Sequence, residues 1–519
     1  MYSKNDTWLV VGKIIKIIKD HKLLLLSIAY LSTRLFNLTL LPIFNDEAIY
    51  LDWGYREIST GDLFLSLFDG KQPLLMWFFG LTQLIIKDPL WAGRLVSVFF
   101  GLLTLIGLWL LTVKLFNKKI ALLTGIFYIT CPLMLFYDRQ ALMESSQAAI
   151  GVWSLYWLVR FYQTKHNLFA LYLGITLGLG FFIKSTSLIF ALSICFLAVI
   201  LSRKQKSIDR RKWFVGIAMS GLVAIGILLP LLVQKEFWMS WAMNNRYTLD
   251  LSQIISLPFA IWRHNLTGLV EISFWQLTPW LTILGFVGAA FLIYQKKDKQ
   301  SFLGVWILFN LLILLIINRN MSARYVMPFL PMLTITSAWV LELIYKSKPV
   351  IGVVIISIGL IANIFLSWRL IFQPLYFLKN LQQVTTYSQY ESYVSNWTSG
   401  FAVLPALDYI QEITNGNKAF VGVRLDSGNP ESAIFVYLNR NHKLLPVYFD
   451  DQLFQSVQKG IDCIASDIPF YYISRDRQMA GMDRFLQEIK RFAKPEDLSS
   501  IGIYQLKPNC EGNTFYIES

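Results

Sequence analysis

Asp46 and Glu47 stand side by side in the stretch NDEAIYLDWGYREI, directly after a long apolar run. A carboxylate within hydrogen-bond reach of a hydroxyl can take its proton and make it a nucleophile. A third acid, Glu144, lies in YDRQALMESSQA, at the edge of another apolar run. Cations collect at comparable positions: Lys71, Arg94, Arg139, Lys184, Arg246, Arg263, Arg319 and Arg324. Lys and Arg at headgroup depth are suited to a lipid phosphate, because they neutralise it and stabilise the charge that develops as it departs. Acids and cations on one face would together serve transfer of a sugar from a lipid phosphate to an acceptor hydroxyl. Each residue also has a plain structural use. Asp46 and Glu47 can open a solvated loop, and Glu144 can cap a helix or pair with Arg139. Lys71 and Lys184 can reach up to headgroups, and Arg94 and Arg324 can pair with outer acids. Arg34, inside the first apolar run, calls for a buried partner.

The elements that must carry these residues follow from composition. Of 519 residues 55% are hydrophobic and 15% charged, with mean hydropathy +0.49, which is a membrane composition rather than a soluble one. The formal charge of +14 could suggest nucleic acid. The basic residues cluster between apolar runs, however, and that distribution sets topology, so no nucleic-acid partner is expected. A crossing needs about 20 apolar residues. Candidate spans are 22–42, 90–113, 120–137, 146–162, 167–183, 186–202, 213–233, 278–294, 301–318, 325–345 and 349–370, about eleven in all. Lysines 13, 16, 19 and 22 precede the first, and every second loop is short and basic: KLFNKK, RFYQTKHN, RKQKSIDRRK, QKKDKQ and YKSKP. These loops belong in the cytoplasm with the N-terminus. The first run has no signal-peptidase exit, so it is read as retained. The alternate loops hold the acids. PLLMWFFGLTQLII, 73–86, is too short for a comfortable crossing and is expected in the outer interface or as a re-entrant piece.

The expected organisation is therefore a cytoplasmic segment 1–21, a helical membrane domain 22–370 whose first outer loop is 43–89, and an extracytoplasmic 371–519. In that tail KAFVGVRL, LLPVYF, PFYYISR and SIGIYQL read as strands, and DQLFQSVQKG and GMDRFLQEIKRFAK as helices, giving a small α/β domain. It carries no glycine-rich phosphate loop and no nucleophile elbow. Cys131 and Cys195 lie in apolar runs and read as core residues, while Cys463 and Cys510 share the tail and could pair. His264 stands alone in its neighbourhood, and no metal site is expected there.

Here the residues resemble a family. NDEAIYLDWGYREI followed by GKQPLLMWFFG resembles the first outer loop of glycosyltransferase family 39, which has the GT-C membrane fold and includes protein O-mannosyltransferases and aminoarabinose-type transferases. The family's K-P-P-L segment reads Lys71-Gln72-Pro73-Leu74 here, with Gln72 replacing a proline. AGRLVSVFFGLLT supplies Arg94, YDRQALMESSQA supplies Glu144, FFIKSTSLIF supplies Lys184, and SARYVMPFLPML supplies Arg324 and Tyr325. The pieces fall in family order between about 22 and 345. The resemblance implies a polytopic α-helical GT-C protein that moves a hexose or pentose from a polyprenyl-phosphate donor to an acceptor protein, lipid or glycan, with inversion and without an obligatory cofactor. It implies a plasma-membrane location. It makes Asp46 the candidate base, with Glu47 and Glu144 positioning acceptor or base, and assigns the donor phosphate to Lys71, Arg94, Lys184, Arg324 and Tyr325. Some distant GT-C oligosaccharyltransferases use a divalent metal, but their W-W-D-type signature is absent here. Two other readings are a transporter or lipid flippase and a non-catalytic envelope scaffold. A transporter asks for ionisable groups near the midplane, and the middles of 213–233, 301–318 and 349–370 carry none.

Overall fold

The computed structural model describes residues 21–203, 207–243, 246–295, 300–424, 429–449, 463–464, 468–476, 486–506 and 514–515. Every apolar segment named above is helical over most of its length, the first ending at Leu35 and not at residue 42. The helices are His21–Leu35, Pro89–Leu115, Lys118–Thr130 with Pro132–Tyr137, Glu144–Thr164, Asn167–Ile183, Ser187–Ser202, Ser207–Leu232, Pro279–Tyr294, Ser301–Ile317, Ala323–Val326 with Leu333–Ser347, and Pro349–Phe372. Local chemistry accounts for several ends. Asn117 accepts from the amides of Lys119 and Ile120 at 2.9 and 3.0 Å, starting one helix. Cys131 leaves the helical region, and Pro132 opens the next helix where no amide proton is needed. Ala323–Phe329 and Leu333–Ser347 meet at a 57° bend, with Pro331 in the break.

Among the described residues, three helices are long and apolar enough to cross a membrane: Pro89–Leu115, Asp209–Leu232 and Pro349–Phe372, or four counting the bent pair. The apolar stretch of the first is 72% buried, but only 17% and 22% of the other two. Leu222, Ile225 and Leu229 on one, and Ile358, Ile361 and Phe365 on the other, are exposed faces that water would penalise and lipid would not. This is an integral membrane protein. Cys131 is buried as expected, whereas Cys195 is exposed on its apolar helix.

The chain divides into two compact units. The first comprises Met1–Leu38, Leu63–Leu75 and Arg94–Tyr387. Small polar side chains knit its helices: Thr336 and Ser337 donate to the carbonyls of Gly285 and Leu281, both at 2.8 Å, which lets neighbouring helices approach closely.

The second unit comprises Thr39–Asp62, Met76–Gly93 and Ser388–Ser519. Its sheet is built from β1 (Ala419–Arg424), β2 (Leu444–Phe449), β4 (Phe470–Arg475), β5 (Leu486–Ala493) and β6 (Ser500–Leu506), in the order β2-β1-β4-β6-β5. β1 is parallel to β2 and β4, while β6 runs antiparallel to β4 and β5. The strands β3 (Cys463–Ile464) and β7 (Thr514–Phe515) form a separate pair. The helical reading of 481–494 is corrected here, since its described part is β5. Leu486, Ile489 and Phe492 stand at intervals of three, which reads as helical, but pairing with β6, across a bulge between Glu488 and Lys490, makes the segment a strand. The expected helix 451–460 and Cys510 lie outside the described residues. The helix Asn45–Thr60 crosses the helix Leu74–Ile85 at Gly54 and Gly80. A Cβ on Gly54 would sit 3.0 Å from the Gly80 nitrogen, so the crossing admits no side chain there. Gln83 seals it by donating to the Leu51 carbonyl at 2.9 Å.

Candidate active site

The first unit gathers charge around one acid. Glu144 opens the helix Glu144–Thr164, where helix amides and dipole favour a carboxylate, and its side chain is fully buried. Lys184 Nζ lies 3.0 Å from Glu144 Oε1, and Arg324 Nε lies 3.4 Å from the same oxygen. The other oxygen, Oε2, accepts no hydrogen bond among the described residues. Tyr325 presents its ring 5.8 Å from Lys184 Nζ. Lys71 adds its field to Lys184, and both burial and that neighbouring charge push the Lys184 ammonium toward the neutral form, against the pull of Glu144. Two cations thus share one carboxylate, and the charge of Lys71 is felt at Lys184.

Each of these side chains is held by its backbone surroundings. Gly70 takes φ 78°, a turn that only glycine adopts easily, and the Lys71 amide then bonds the Ser66 carbonyl at 3.2 Å. Lys71 Nζ rests 5.0 Å above the Tyr247 ring, and Arg246 reaches Asp69 at 3.6 Å. Lys184 sits in the break between two helices. Gln147, one turn beyond Glu144, donates to the Gly180 carbonyl at 3.0 Å and accepts from Ser187 at 2.7 Å. That pins both sides of the break against the helix bearing Glu144. The sequence reading missed Gln147 and Tyr247. The only signal for Gln147 was a polar residue on an otherwise apolar helix face.

Two further expected outer cations bond protein oxygens in this structure. Arg139 is 6% exposed and donates to the carbonyls of Thr33, Phe36 and Asn37 at 2.6–2.9 Å, satisfying acceptors where the first helix ends. Arg94 is buried and donates to the Leu38 carbonyl at 2.9 Å and to Gln140 at 3.1 Å. Arg34 has the buried partner it required. It faces Asp138 at 3.4 Å, and Tyr128 and Ser145 donate to the same carboxylate at 3.0 and 2.9 Å.

Asp46 and Glu47 belong to the second unit, in the first turn of Asn45–Thr60. They have different uses there. Glu47 is fully buried, and its Oε2 accepts the Phe44 amide at 2.9 Å, half of a capping box. Asp46 is half-buried, and its Oδ1 accepts from Asn45 Nδ2 at 3.2 Å. His264 lies near Tyr387, its Nε2 3.4 Å from the hydroxyl. Among the described residues no three His, Cys, Asp or Glu side chains are gathered as metal ligands.

Residues 70–233 match the model of the family described as dolichyl-phosphate-mannose-protein mannosyltransferase. In that stretch and in its fold the chain is similar to membrane glycosyltransferases of the GT-C class. The matched stretch contains Lys71, Arg94, Glu144 and Lys184. The fold is similar to ArnT from Cupriavidus metallidurans bound to undecaprenyl phosphate, with TM-score 0.59 and 14% identity over 93% of this chain and 97% of that one. The apo ArnT structure gives 0.58 and 14%, over 97% and 98%. The Archaeoglobus fulgidus oligosaccharyltransferase in complex with Zn and sulfate gives 0.53 and 13%, over 82% of this chain and 62% of that one. No curated protein sequence matches.

Proposed function

We propose that this protein moves a sugar from a polyprenyl phosphate to an acceptor hydroxyl, with inversion, on the outer face of the plasma membrane. The observation that carries the reading is the Glu144 cluster. Lys184 and Arg324 bring two positive charges to one negative one, and Lys71 adds its field at Lys184, an excess suited to a phosphate. The likeness to ArnT, a structure holding undecaprenyl phosphate, supports a donor of that class. In the reaction, the acceptor oxygen bonds to the anomeric carbon as the bond from that carbon to the phosphate oxygen breaks. The electron pair leaves on the phosphate, where the cations receive it, and the hydroxyl proton passes to a carboxylate. Asp46 is our assignment for that base, by the family resemblance and its place opening a helix. Glu144 then acts as the fixed counter-charge that spaces Lys184 and Arg324. Arg94 and Tyr325 are assigned to the donor side on the resemblance, and Glu47 supports Asp46 through its cap.

The same reading places the N-terminus and basic loops in the cytoplasm, makes the apolar helices eleven crossings, and puts the tail from 371 outside. The deciding experiment incubates purified protein with labelled polyprenyl-phosphate sugars and membrane extract, then identifies the labelled product. Transfer by wild type but not by correctly inserted Asp46→Asn is the expected result. Unchanged transfer by that variant removes Asp46 as base, and no transfer from any lipid-phosphate sugar removes the donor class.

A further inference from the structure

Asp46 does not orient itself. Its Oδ1 accepts from Asn45 Nδ2 at 3.2 Å. The other end of that amide, Asn45 Oδ1, accepts the backbone N–H of Asn429 at 2.8 Å. An amide has one accepting end and one donating end, so a bond that claims the oxygen dictates where the nitrogen points. The Asn429 N–H thereby turns the donating end of Asn45 toward Asp46. The reverse orientation would set an amide oxygen against the carboxylate and two N–H groups against each other.

The segment supplying Asn429 is itself held to the start of the helix. Asn429 Nδ2 donates to the carbonyl of Thr398 at 2.9 Å and to that of Ile43 at 3.3 Å. The Asn45 amide reaches the same Thr398 carbonyl at 3.0 Å. Buried Lys494 donates to neighbouring carbonyls of this loop, those of Trp397 and Ser399, at 3.0 and 2.8 Å. Loop, Asn429 and helix start are one hydrogen-bonded junction inside the second unit.

We propose that Asn45 is the positioning residue for Asp46, and that the C-terminal segment sets its orientation through Asn429. The inference rests on Asp46 as base. Asn45 touches no substrate in this scheme and acts through the carboxylate beside it. A role for the tail in the chemical step follows, without any catalytic group of its own.

The test uses full-length protein and undecaprenyl-phosphate-linked mannose, or another labelled undecaprenyl-phosphate sugar that wild type consumes, with kcat and KM resolved. Asn45→Ala is expected to lower kcat about tenfold with donor KM within twofold, the signature of a misplaced base. Asn45→Asp keeps the shape and the acceptor for Asn429 but turns a like charge on Asp46, and should be slower still. Asn45→Ser, whose hydroxyl both accepts and donates, should recover part of the rate. Lys494→Met should lower kcat in the same sense and add little to Asn45→Ala, because both act on one carboxylate. A kcat for Asn45→Asp within threefold of wild type overturns the proposal while leaving Asp46 as base. Full activity of Asp46→Asn overturns both. Should Asn45→Asp not fold, as judged by thermal unfolding in detergent, Asn45→Ser and Asn45→Ala decide, and equal rates for those two overturn it.

Discussion

At the scale of single residues, the cations around Glu144 carry the clearest expectations. Lys184→Ala and Arg324→Ala should each lower kcat by about 10²–10³, the range for removing one donor to developing charge. Donor binding assayed separately should weaken less than kcat falls. Asp138→Asn should be costly in another way, because it strips a buried Arg34 of its charge partner. A loss of about 3–5 kcal/mol is the usual scale for that, whereas replacing both residues by apolar ones should recover much of it. Thermal unfolding of the three proteins checks the ordering. Lys494 gives a pH prediction for the tail. Burial drives its ammonium down to about 8 from an ordinary 10.5, against the pull of Asp476 and Glu431. The folded tail therefore binds fewer protons than the unfolded one between about pH 8 and 10.5, and its stability should rise with pH across that window. Lys494→Met should abolish the rise, which denaturant melts at pH 7.5 and 10 would show. Sequence alone pointed to Glu144, Lys184 and Arg324, since residues of those types bordered apolar runs. It set Asp46 apart from Glu47 through the family resemblance alone, and gave no sign that Glu47 caps its own helix. Neighbours in a chain look equivalent until a helix cap uses one of them.

At the scale of elements, apolar length located the helices well, because a continuous apolar run has little other choice. The start at Asn117 lies in a basic loop that marked it, but the break at Pro132 was missed, because the candidate span 120–137 runs straight through it. β5 was missed too. Its apolar residues stand three apart as in a helix, and pairing with β6, distant information for a local reading, decides the matter. The crossing at Gly54 and Gly80 likewise left no mark beyond two glycines on different helices. Gly54→Val should disrupt it, since a side chain there meets the Met76 carbonyl and the Gly80 amide. A drop in the melting temperature of the purified protein is the expected readout, with Gly61→Ala at an open surface turn as the milder comparison.

At the scale of the whole molecule, the sequence reading named a membrane protein with a mixed α/β tail, and described helices and strands agree with that composition. What pattern cannot show is which distant segments fold together. In a cysteine-free background, Lys348→Cys should resist a membrane-impermeant thiol reagent added from outside, and Leu498→Cys should react. The opposite pattern overturns the proposed orientation. The second unit has a practical side as well. Residues 39–62, 76–93 and 388–519 form it together, and Asn429 meets Asn45 across 384 positions of chain. Anyone building chimeras between relatives must move these three pieces as one cassette. A tail grafted by itself would arrive with the wrong counterpart for Asn45, and exchange of substrate preference by tail-swapping should succeed only when residues 39–62 and 76–93 travel with it.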